Sequence, residues 1–137
     1  MSLDIYIDGA SKGNPGPSGI GIVLCRGDEV VKNISLYIGE YTNNVAEYIA
    51  LIHGLQEALL LKEQQVNIFT DSELLFRQLK GIYKIKHPNL QGLYQQAKTL
   101  WQAFKHINIQ HIPREQNRGA DKLANLAVKK RKAGVVI

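Results

Sequence analysis

The chain has 137 residues, 45% of them apolar, with one cysteine and a net charge of +5. That is the size of a single domain with a proper core. One cysteine excludes an intrachain disulfide and a cysteine-rich zinc site, and no apolar run reaches the length of a membrane span.

In chain order, residues 3–8 alternate apolar and polar (LDIYID), which predicts a strand. The opening residues lack a basic leader and a long apolar stretch, so no signal peptide is expected. Residues 9–21 are rich in Gly and Pro and read as a loop leading into a second strand, 20–25. A Gly27-Asp28 turn precedes a third strand, 30–38, completing an antiparallel meander. Thr42 and Asn43 are good N-caps. Val45, Ile49, Ile52, Leu55 and Leu59 then recur at helical spacing to about Lys62. A short strand, 66–70, and a helix, 72–79, follow. Residues 81–89 read as a loop, and 90–104 as a helix whose Trp101 packs with Leu93, Ala97, Leu100 and Phe104. A last strand, 107–112, a polar loop, 113–119, and a helix, 120–132, complete the reading. The basic run 129–132 suits a helix C-terminus. It is also a candidate for touching nucleic acid. No element is assigned to the apolar residues 135–137. The order β-β-β-α-β-α-α-β-α predicts an α/β domain over residues 1–137, a meander extended by parallel strands with helices on both faces.

Asp8 and Asp71 each stand at the carboxyl end of a predicted strand, where open α/β sheets bind ligands. Glu47 lies one turn into the first long helix and Asp121 in the first turn of the last. Taken singly, such acids are usually caps or dipole partners. Together, four carboxylates at one rim repel unless a cation sits among them. Oxygen-only ligands favour Mg²⁺ or Mn²⁺ over zinc. Two such ions about 4 Å apart can activate water and stabilise a leaving phosphodiester oxygen.

Four segments carry these acids: IDGASKGNPGPSG from Ile7, YTNNVAEY from Tyr41, FTDS from Phe69 and IPREQNRGADKLA from Ile112. In this order and spacing the chain resembles type 1 ribonuclease H. The resemblance implies a ribonuclease H-like fold, a five-stranded mixed sheet with helices on both faces. It implies a Mg²⁺- or Mn²⁺-dependent endonuclease acting on the RNA strand of an RNA–DNA hybrid by a two-ion mechanism, leaving 5′-phosphate and 3′-hydroxyl ends. By position, Asp8, Glu47, Asp71 and Asp121 match the metal-binding acids. Asn14, Asn43 and Asn44 match residues that line the minor groove of the hybrid, and Asn14 and Thr42 match parts of a pocket for a DNA-strand phosphate. Amides can both donate and accept toward 2′-hydroxyls. The plainer reading is that Asn14 shapes its loop and that Thr42 or Asn43 caps the helix; both roles can hold at once. No obligate protein partner is evident, and single-domain members of the family suggest a monomer in the cytoplasm, a setting a lone thiol suits.

The chain also departs from the family. Many members carry a histidine in the loop before the last acid. Here Arg114 occupies that loop and is the favoured substitute, a cation that cannot act as a base. His111, at the matching offset but reading as a strand end, is the alternative helper. The basic protrusion of some members is reduced to residues 81–89, where Lys86, with Lys80 and Lys84, is expected to contact backbone phosphates. Glu73 adds an anion that has no explanation at this level. With seven residues before Asp8, no separate hybrid-binding module is expected upstream.

Three rival readings remain. A phosphate-cradling nucleotide-binding module lacks a Gly-Lys-Ser/Thr ending to its Gly-rich loop and room for a second domain. A non-catalytic nucleic-acid binder would usually have lost an acid. A DNA-cutting relative, such as a junction resolvase or integrase-type domain, fits poorly with the Asn pairs.

Overall fold

A computed structural model describes residues 2–130 and 135–136. Strands β1 (Leu3–Ser11), β2 (Gly16–Arg26) and β3 (Glu29–Tyr41) form the antiparallel meander. Helix α1 (Asn43–Leu60) leads to β4 (Gln65–Thr70), which pairs parallel to β1. Then come α2 (Glu73–Leu79), α3 (Pro88–Trp101), β5 (His106–His111) parallel to β4, a short 3₁₀ turn (Arg114–Gln116) and α4 (Arg118–Lys130). The five strands run β5-β4-β1-β2-β3, a mixed sheet. A two-residue strand, β6 (Val135–Val136), adds antiparallel to β3 beside Ser35 and Ile34. Residues 131 and 132 of the basic run lie outside the described residues.

Period-2 alternation sends Leu3, Ile5 and Ile7 of β1, with Ile20, Ile22 and Leu24 of β2 and Val66 and Ile68 of β4, into one fully buried layer. Tyr48, Leu51, Leu55 and Ala58 of α1 complete that core. Each fully buried branched side chain contributes about 1.5–3 kcal/mol of apolar transfer free energy. Helix α3 packs beyond α1 on this face, and α4 covers the other face over β1, β2 and β3. Phe104 and Ala97 are buried and Trp101 half-buried against the core, in line with their expected packing role.

The expected loop over residues 9–21 is in fact mostly sheet: β1 continues to Ser11 and β2 begins at Gly16, leaving only Lys12 to Pro15 between them. Glycine density misled because Gly21 serves packing. A Cβ there would overlap the Ala120 carbonyl oxygen of α4, so its absence lets helix and sheet backbones approach. The helix expected over 90–104 runs instead over Pro88–Trp101, because proline suits a first helical position.

Candidate active site

The parallel register of β1 and β4 pairs Ile7 with Thr70, so the residues that follow each, Asp8 and Asp71, emerge side by side. Asp8 lies within β1, opposite Gly21 of β2, and just past the last residue pair with β4. Asp71 bridges β4 to α2, whose N-cap Ser72 accepts from the Leu75 amide at 3.1 Å. Thr42 caps α1 through the Val45 amide at 3.3 Å, which fixes the start of the helix and sets Glu47 one turn in, facing β1. There the Gly9 amide donates to Glu47 Oε1 at 2.5 Å. A Cβ on Gly9 would fall 2.5 Å from the Glu47 nitrogen, so only glycine lets β1 and α1 close around this contact.

Asp8, Glu47 and Asp71 each offer a carboxylate oxygen within 4.8 Å of the others. Asp121 lines the same cleft but stands outside that trio. Its Oδ1 accepts from Arg114 Nη2 at 3.4 Å and from Asn125 Nδ2 at 3.2 Å. The cleft has a volume of about 640 Å³ and also presents Lys12, Asn14, Asn43, Asn44 and Arg114.

Asp8 and Glu47 are nearly fully buried, 5% and 6% exposed. Burial pushes the Asp8 carboxyl well above the usual carboxylate range, and the charges of Glu47 and Asp71 push the same way. Burial also raises Glu47; hydrogen bonding from the Gly9 amide and from Asp8 opposes this, and the charges of Asp71 and Asp121 add to it. For Asp71, burial again raises, Asn117's hydrogen bond opposes, Asp121 raises, and Arg114 and His111 lower. Without a cation, all three carboxyls are raised on balance, which favours uptake of a proton by the trio. Glu47 Oε2 is buried with no hydrogen-bond partner among the described residues. A buried oxygen with a free lone pair, on an acid clustered with two other carboxylates, is what a hard divalent cation requires, so the donor set fits one.

The remaining expected residues divide. Asn14 Oδ1 accepts from the Asn43 amide at 3.1 Å, and Asn43 Oδ1 accepts from the Ser11 amide at 2.9 Å. Both therefore tie the β1–β2 loop to the start of α1 while lining the cleft. Asn44 Nδ2 donates at the long limit, 3.5 Å, to Gln78, which also accepts from the Tyr48 hydroxyl at 2.9 Å. Thr42 is the helix cap and does not line the cleft. Arg114 lines it; His111, an exposed strand end, does not, and its ring lies 6.0 Å from that of Phe76. Lys86 is exposed on its loop, away from the cleft. Lys80 sits over the Phe76 ring and Lys84 borders a separate groove with Tyr83 and Tyr94. Glu73 acquires an explanation: it stands in the first turn of α2, favourable to the helix dipole, and pairs with Arg77 at 3.3 Å.

Sequence reasoning assigned no role to Asn117. It is 1% exposed, and its Nδ2 donates to the Ile7 carbonyl at 2.9 Å and to Asp71 Oδ2 at 3.4 Å. It thus fastens the start of α4 to the ends of β1 and β4. Its only sequence signal is a place four residues before Asp121, where its carbonyl accepts the Asp121 amide.

Comparison with known proteins agrees with this architecture. A family profile described as reverse transcriptase-like matches residues 6–127. A bifunctional protein of Mycobacterium tuberculosis is 44% identical over 130 residues, 93% of this chain and 36% of that protein. A ribonuclease HI of Halobacterium salinarum is 41% identical over 124 residues, 90% of this chain and 62% of the relative. The chain thus spans about a third to three-fifths of the length of these curated relatives. Among solved structures, LC11-RNase H1 in complex with an RNA/DNA hybrid superposes with a TM-score of 0.89 at 39% identity, covering 94% of this chain and 98% of that one. With a profile spanning most of its length and the acid-lined cleft at the shared end of β1 and β4, the chain belongs to the reverse transcriptase-like family, among the type 1 ribonucleases H.

Proposed function

We infer that the chain hydrolyses the RNA strand of RNA–DNA hybrids as a metal-dependent endonuclease, leaving 5′-phosphate and 3′-hydroxyl ends. The observation that carries this reading is the convergence of Asp8, Glu47 and Asp71 within 4.8 Å at one end of the sheet, with an unpartnered buried oxygen on Glu47. Those three acids, with Asp121 beside them, would hold two Mg²⁺ or Mn²⁺ ions. When bound, such ions supply Lewis-acid charge and a nucleophilic water at neutral pH.

The protein's own groups do the rest. Gly9 and Asn117 hold Glu47 and Asp71 in place through their N–H groups. Asn14, Asn43 and Asn44 present amides along the cleft for the sugar edges of the hybrid, where 2′-hydroxyls distinguish RNA from DNA. Thr42 contributes by fixing the start of α1. Arg114 supplies a cation beside Asp121 that neutralises phosphate charge. Its position in the cleft favours it over His111. Lys86 contacts backbone phosphate beyond the cleft. Residues 1–137 are read as one domain acting as a monomer in the cytoplasm, a setting that suits a single thiol; no helix of the described residues is long and apolar enough to cross a membrane.

The deciding experiment is a substrate panel of hybrid, duplex RNA, duplex DNA and single strands, with Mg²⁺, with Mn²⁺ and with chelator. Cuts are expected in the RNA of the hybrid alone, only with metal, and absent in Asp71→Asn, which keeps shape but removes an anion. Wild-type rates in Asp71→Asn would remove the metal-site basis of this function.

A further inference from the structure

Beside the acid-lined cleft lies a second depression of about 410 Å³, bordered by Lys12, Asn125, Val128 and Lys129. It is continuous with the cleft, since Lys12 and Asn125 border both. Along α4, Asp121, Asn125 and Lys129 recur every fourth residue, so they share one face of the helix. That face starts at the acid and ends at a cation, and Lys12 approaches it from the β1–β2 loop. Neither lysine has an ion-pair partner among the described residues; the nearest acid along this face, Asp121, is engaged by Arg114. Helix α4 carries Arg118, Lys122, Lys129 and Lys130 against one acid, Asp121. Unpaired, exposed cations held next to a cluster of carboxylates suit an anion that spans both. A phosphodiester backbone crossing the acids on bound cations needs such charge where it leaves them.

We propose that Lys12 and Lys129 form a phosphate subsite that grips a strand of the nucleic-acid duplex where it runs on past the acid cleft, while Asn125 Nδ2, on the same helix face, stays engaged with Asp121. The distance fits. Lys129 stands about 12 Å beyond Asp121 at 1.5 Å of rise per helical residue, which is about three to four nucleotides at 3.4 Å of rise per strand residue. The contact is to backbone charge, so it adds affinity and carries no base preference. It is distinct from the lysines of residues 80–86, which lie on a different loop.

This proposal rests on the nuclease reading for its ligand, but its test does not need cleavage. In an Asp71→Asn background at fixed free Mg²⁺, the dissociation constant of an RNA–DNA hybrid is measured against salt. Lys12→Gln with Lys129→Gln is expected to lower the slope of log affinity against log salt by about 1 per lysine removed. Lys12→Arg with Lys129→Arg should keep the parental slope. Lys62→Gln with Lys105→Gln, at the opposite end of the sheet, should also keep it, although it removes the same charge. In the cleaving protein, the Gln pair should raise KM by a larger factor than it lowers kcat. An unchanged slope in the Gln pair, or an equal drop in the remote pair, overturns the subsite. Failure of the parent chain to cut hybrid would instead overturn the nuclease reading while the slopes still decide the subsite.

Discussion

Replacing Asp8 with asparagine should make the metal-free protein more stable while destroying its proposed activity. Three carboxylates with oxygens within 4.8 Å of one another, two of them almost fully buried, repel strongly once ionised. At that separation and an effective dielectric of ~20, one pair of unit charges costs about 3 kcal/mol. Burial and the charges of Glu47 and Asp71 favour the protonated form of Asp8, which relieves part of this repulsion. Asparagine supplies a permanent N–H donor in the same place, with no proton to lose. The sign follows from linkage. Asp8 and Glu47 bind protons more tightly folded than unfolded, so the folded state loses stability as pH rises above their ordinary values of 3.8 and 4.5. Below about pH 3 both states are protonated and the difference vanishes.

In chelator at low salt and pH 8, Asp8→Asn should therefore gain about 1–3 kcal/mol, seen as a rise of several degrees in melting temperature by circular dichroism. At about pH 3 the gain should disappear. With millimolar Mg²⁺ the order should narrow or reverse, because the cation stabilises only the protein that retains the full acid set. A variant that melts at or below the parent at pH 8 without metal would refute the idea that the trio stores repulsion awaiting a cation.

Three further outcomes are expected. Gly9→Ala places a methyl against the backbone of Ala46 and Glu47; it should cost about 1–3 kcal/mol in urea denaturation and lower hybrid cleavage beyond what unfolding explains. Asn117→Ala leaves the buried Ile7 carbonyl without its 2.9 Å partner, a loss of about 1–3 kcal/mol, and frees Asp71, so weaker metal affinity by calorimetry should accompany it. Arg114→Ala removes a 3.4 Å ion pair whose arginine is 75% exposed; stability should change by under about 0.5 kcal/mol while turnover falls at least several-fold, and an unchanged rate would return the helper role to His111 or to neither.

Local chemistry made most of the elements legible. Alternation in β1 and apolar spacing in α1 are short-range patterns set by periods of two and 3.6 residues. The N-cap at Thr42 and the acid-bearing segments around Asp8, Glu47, Asp71 and Asp121 could likewise be read without coordinates. What the sequence could not supply depends on contacts between distant segments. Gly21 reads as loop until α4 is laid across it, and Asn117 reads as a polar loop residue until it is found bridging Ile7 and Asp71. The parallel register that puts Asp8 next to Asp71 also belongs to tertiary structure, as do the hydrogen bonds of Arg114 and Asn125 to Asp121. Spacing along a chain records which groups are available; only the packed sheet and helices fix the few ångströms that decide whether carboxylates repel, share a proton or hold a metal.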